Sequence, residues 1–82
     1  MSRLQELLVD ARRGLVPWEP IPRAAWPAIA AKCGEAEREE IAARLAALRQ
    51  EHAAVPEWDG DTQDDIWRVI ELFEGLLALS RR

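Results

Sequence analysis

Leu4, Leu7, Leu8, Ala11 and Leu15 recur at the three- and four-residue steps of one helix face, with mostly polar and charged residues between them. Ser2 stands at capping-box distance from Gln5, and Gly14 supplies a stop, so a first helix is predicted over about 2–14. The pattern then breaks at Leu15-Val16-Pro17-Trp18-Glu19-Pro20-Ile21-Pro22, whose three prolines remove backbone donors and favour extended geometry. The segment reads as a stiff, proline-rich connector. A short second helix is predicted over about 24–33, with Pro27 in its first turn, where a missing N–H leaves no bond unmade, and Gly34 at its end.

Strong helix formers dominate from 35 to 53, and Glu35, Glu37, Glu39 and Glu40 gather at the positive end of the helix dipole there. The apolar seam of this third helix is narrow, consisting of Ile41, Leu45, Leu48 and His52. Ala42, Ala43, Ala46 and Ala47 flank it and let a neighbour approach closely. Val55-Pro56-Glu57-Trp58-Asp59-Gly60 reads as a turn. Asp61, with Asp64 three residues on, is the expected carboxylate cap of a last helix over about 62–80. In that helix Ile66, Val69, Ile70, Leu72, Phe73, Leu76 and Leu77 cover nearly half the circumference, which predicts the central position in the fold. Trp67 falls outside this arc, on the charged side with Glu71 and Glu74.

The expected fold is therefore all-α, a small bundle of three long helices plus one short helix, forming one domain over 1–82. A chain of 82 residues and 9.3 kDa has room for one thin core and no more. Leu4, Leu7, Leu8, Leu15, Trp26, Ile29, Ile41, Leu45, Leu48 and the arc of the last helix fill such a core. Val9, Val16, Trp18, Ile21, Trp67 and Leu79 are then surplus, and surplus apolar surface argues for association.

The net charge of -4 disfavours direct binding to nucleic acid or to an anionic membrane, where Lys and Arg dominate affinity. The charge is uneven. Residues 1–33 carry a net of +2 and residues 34–82 a net of -6, the acid lying in Glu35–Glu40 and Glu57–Asp65. These two clusters belong to the starts of successive helices, so one continuous acidic face is not assumed.

The chemical inventory is sparse. One cysteine, Cys33, and one histidine, His52, allow neither an intrachain disulfide nor a closed Cys/His metal cluster. No apolar stretch has the length of a secretion signal or membrane span, and a reducing, cytoplasmic location is the default expectation. Ser2, Thr62 and Ser80 are the only hydroxyl residues, leaving little from which to build a nucleophile, base and orienting group. A non-enzymatic protein without cofactor is expected. The alternating carboxylates from Asp59 onward have the look of a calcium loop, but that loop needs glycine where Asp64 stands and glutamate where Ile70 stands. No metal site is expected. His52 is expected partly buried near the end of its helix, Cys33 buried and unreactive, and Trp26 in the core.

Tryptophan is the informative residue type. Trp58 and Trp67 flank the acidic turn close to Asp59, Asp61, Asp64, Glu71 and Glu74, and Trp18 stands in the connector. Rings among carboxylates suit a protein partner that offers Arg or Lys on apolar stems. These eight residues are the candidate partner-binding set. The leading expectation is an inhibitor or an immunity or anti-CRISPR-type protein that occupies the basic, nucleic-acid-binding surface of another protein. The alternative is a helical subunit or adaptor of a homo-oligomer or larger assembly, held by apolar contacts. A third possibility, a helix-turn-helix DNA binder built from the short helix, Gly34 and the third helix, is disfavoured because the would-be recognition helix opens on Glu35, Glu37, Glu39 and Glu40.

Overall fold

The computed structural model describes residues 2–81. Four α-helices form a small bundle: α1 (Arg3–Ala11), α2 (Trp26–Ala31), which continues a 3₁₀ turn over Arg23–Ala25, α3 (Glu35–Ala54) and α4 (Gly60–Ser80). Two helices are long and two are short, not three long and one short. The first helix is the difference. Ser2 and Gln5 do form the capping box that starts it, but the chain leaves the helix at Arg12 and reaches Gly14 at a left-handed φ of 85°. The Arg12 guanidinium then donates to the carbonyls of Val16 and Pro17, at 3.1 and 3.0 Å. Those bonds favour a folded-back chain over another helical turn.

α3 and α4 are antiparallel, as three contacts along their length show. Arg38 donates to the Ser80 carbonyl at 3.5 Å, Arg49 pairs with Glu74 at 3.1 Å, and the His52 and Trp67 rings lie 5.6 Å apart. α4 packs on α3 along one side and on α2 along another, so the most apolar helix is indeed the central one. α1 crosses the start of α3, where the Ser2 hydroxyl donates to Glu40 at 2.9 Å.

The core gathers Leu4, Trp26, Ile29, Ile41, Leu45, Ile70, Phe73 and Leu76, with Ile21 and Cys33 at its edge. Ile21 is a correction to the expected surplus. Trp26 is buried and its indole N–H donates to the Ile21 carbonyl at 3.2 Å, which draws the chain before α2 onto the core. Val69 is the opposite case, expected inside and found exposed at 38%, on the lining of an open groove and not in the core. The N-cap of α4 is Asp59 and not Asp61. Its carboxylate accepts from the Thr62 amide at 3.3 Å and the Thr62 hydroxyl at 2.8 Å, so the helix starts two residues earlier than expected.

Candidate functional site

Antiparallel packing puts the starts of α3 and α4 at opposite ends of the bundle. Glu35–Glu40 therefore do not meet Glu57–Asp65. The turn joining α3 to α4 is the acidic end: Glu51, Glu57, Asp59, Asp61, Asp64 and Asp65 follow one another with no Lys or Arg among them. Among the described residues only Asp65 of these six has an ion-pair partner, Arg68 at 3.5 Å. Asp59 is committed to capping α4. Glu51, Glu57, Asp61 and Asp64 make no ion pair and no side-chain hydrogen bond within the described chain. Trp58 stands among them at 85% exposure.

The other candidates lie elsewhere. Glu71 pairs with Arg23 at 3.2 Å and Glu74 with Arg49 at 3.1 Å, so both tie α4 to its neighbours and their charge is matched within the fold. Trp67, at 49% exposure, lies tilted against His52. That contact accounts for a large ring on a charged face: half of it covers the seam between α3 and α4 near the turn. The candidate set thus separates into an acidic turn with Trp58, an α3–α4 seam with Trp67 and Glu74, and a third group of Glu71, held by Arg23, and Trp18, which line one groove.

Trp18, 80% exposed, forms a wall of a groove of about 960 Å³ that the sequence pattern did not reveal. Leu8 of α1, Ile21, Leu48 of α3, and Val69, Leu72 and Phe73 of α4 supply its apolar lining. The position of Trp18 is determined by its neighbours. The Glu19 amide donates to the Val16 carbonyl at 3.0 Å, closing a turn with Trp18 inside it, and Arg12 clamps the Val16 and Pro17 carbonyls. Arg23, which stacks over the Trp26 ring at 4.7 Å, closes one side of the groove through its pair with Glu71.

Cys33 is buried, its Sγ donating to the Ile29 carbonyl at 3.4 Å. Burial pushes the thiol pKa up, Glu37 adds to the rise, and Arg38 and Arg3 oppose it. The reactive thiolate is thereby disfavoured. Among the described residues no group of three or more His, Cys, Asp or Glu is placed to hold a metal ion, and no helix is long and apolar enough to cross a membrane. No family model, no curated protein and no solved structure matches the chain.

Proposed function

We propose that this chain is a non-enzymatic protein-binding module whose acidic turn between α3 and α4 seats the basic surface of another protein. Its concrete form is an inhibitor or an immunity or anti-CRISPR-type protein, presenting carboxylates where the phosphates of a nucleic acid would lie. The observation that carries the reading is Trp58, a ring exposed to 85% near Glu57, Asp61 and Asp64, which have no counterion among the described residues. Exposing an indole costs the free protein apolar burial, and a partner's Arg or Lys stem covering it recovers that loss together with ion pairing. Glu71 and Glu74 are left out of this surface, since Arg23 and Arg49 already hold them.

The test is capture of a partner from lysate by the immobilised protein, by Trp58→Ala and by an Asp61→Asn/Asp64→Asn variant, each eluted with a salt gradient. The reading expects a protein with a basic surface, released by salt, retained weakly by either variant. A captured protein without a basic surface, or retention that strengthens with salt, overturns it.

A second reading, self-association or assembly through apolar contacts, is favoured by the exposure of Val9, Val16 and Val69. Light scattering separates the two: a salt-insensitive dimer of the pure protein belongs to this second reading and a monomer to the first.

A further inference from the structure

We propose that residues 16–20 are a strap at the edge of the groove and that Arg12 is its latch: the latched state holds Trp18 out in water, and release of Arg12 lets the ring close into the groove. Its action does not depend on what the acidic turn binds.

The strap is anchored at both ends and held between them by one side chain. Leu15, before it, is half-buried against the core. Ile21, after it, is buried, and its carbonyl accepts the Trp26 indole N–H at 3.2 Å. The five residues between are all exposed. Among the described residues, the bonds from the Arg12 guanidinium to the Val16 and Pro17 carbonyls are the only hydrogen bonds or ion pairs that tie this stretch to the rest of the molecule. Both bonds are open to solvent, so water competes for them and local opening is cheap.

The latch also shares an acceptor with the turn that carries Trp18. The Val16 carbonyl takes the Glu19 amide at 3.0 Å as well as the guanidinium, so loss of Arg12 frees Pro17 and leaves the turn closed. Trp18 then moves with an intact turn.

Burial supplies the direction of that movement. Trp18 lines the groove and yet keeps 80% of its surface exposed, while Leu48, Val69, Leu72 and Phe73 line the same space. Covering an indole with apolar surface is among the largest gains one side chain can make, and the latched state forgoes it. Two charge-assisted bonds, held by one planar guanidinium, stand against that gain. A few exposed bonds on one side and one ring's burial on the other make a two-state element. In its closed state the ring fills space within the groove, so Arg12 sets whether the groove is open.

The test uses the full chain with Trp58→Phe and Trp67→Phe, so that Trp18 reports against a constant background from buried Trp26. Arg12→Ala should move the emission to the blue, and a strap closed for half of the time should lower acrylamide quenching of Trp18 about twofold. Ala47→Gln and Val69→Gln, both exposed lining positions, should together restore the quenching by making the groove polar and narrower. Where Arg12→Ala loses the helical circular dichroism spectrum, Arg12→Lys takes its place, since Lys keeps the charge and the stem but lacks the planar fork.

Emission and quenching equal to those of the chain with Arg12 intact, or a Trp18 more exposed than there, overturn the latch. Protection that survives both glutamine substitutions overturns closure into the groove. Protection that grows with protein concentration overturns closure within one chain, since a second copy then covers the ring.

Discussion

The six-membered ring of Trp26 rests against the bare Cα of Gly75, so that a Cβ at position 75 would overlap its Cε3 and Cζ3 atoms. The close approach of α2 to the middle of α4 depends on that missing methyl. Gly75→Ala brings two opposed effects: a helix-propensity gain of about 1 kcal/mol and an overpacking cost of about 1–3 kcal/mol. Because the ring is rigid and buried the second wins. Gly75→Ala should lower the midpoint of thermal unfolding by several degrees, and Trp26→Leu combined with it should show strong non-additivity in a double-mutant cycle. A variant as stable as the parent would mean that α2 slides aside at no cost.

The tryptophans should rank in stability as they rank in burial. Trp26 is 9% exposed and hydrogen-bonded, and its replacement by Ala should cost about 3–5 kcal/mol, much of what a small domain has. Trp67→Ala forfeits an aromatic contact with His52 of about 0.5–1.5 kcal/mol together with partial burial. Trp58→Ala, in contact with little, should change stability by no more than about 0.5 kcal/mol. Urea unfolding of the three variants checks the order. A large loss from Trp58→Ala would make that ring structural and remove the central support for its role in binding.

How much of this was legible in the sequence depends on whether a feature is local or tertiary. The helical class, the Ser2–Gln5 box, the central place of α4 and the burial of Trp26 and Cys33 all follow from periodicity, capping chemistry and hydrophobicity within a few residues. The short α1 was not legible, because Arg12 chooses between continuing a helix and clamping carbonyls that the chain brings back to it. Glu71 and Glu74 looked free in sequence, yet their partners, Arg23 and Arg49, are brought to them only by packing. The groove was the least legible feature of all. Its lining comes from four separate segments, and the one available hint was an apolar surplus around Trp18 with no place to go.

Cys33 makes the alkaline limb of the stability curve testable. Burial and Glu37 hold its proton to a higher pH than in the unfolded chain. The group therefore favours the fold fully below the unfolded thiol pKa, and loses that contribution as pH rises through the unfolded and then the folded value. Cys33→Ala should flatten the decline in stability on the alkaline side, beneath a pH-independent loss for the packing of the buried thiol. The native thiol should also react with a disulfide reagent far more slowly than the thiol in denaturant. Equal rates would show that the Ile29–Cys33 turn opens readily.

Capping and recognition fall to different carboxylates of one acidic turn. Asp59 caps α4 through Thr62, whereas Asp64 has no partner among the described residues. Asn caps a helix about as well as Asp, so Asp59→Asn removes the charge and keeps the cap, while Asp59→Ala loses the cap at about 0.5–2 kcal/mol. Asp64→Asn removes charge with no cap to lose, and its effect on stability should be within about 0.5 kcal/mol. If the turn binds a basic partner, Asp59→Asn and Asp64→Asn should each weaken binding and leave the midpoints of the thermal and urea transitions nearly unchanged. Asp59→Ala should impair both properties. A partner that tolerates both asparagine variants but not Asp59→Ala is reading the shape of the capped helix and not its charge, and electrostatic occupation of a basic surface would then have to be abandoned.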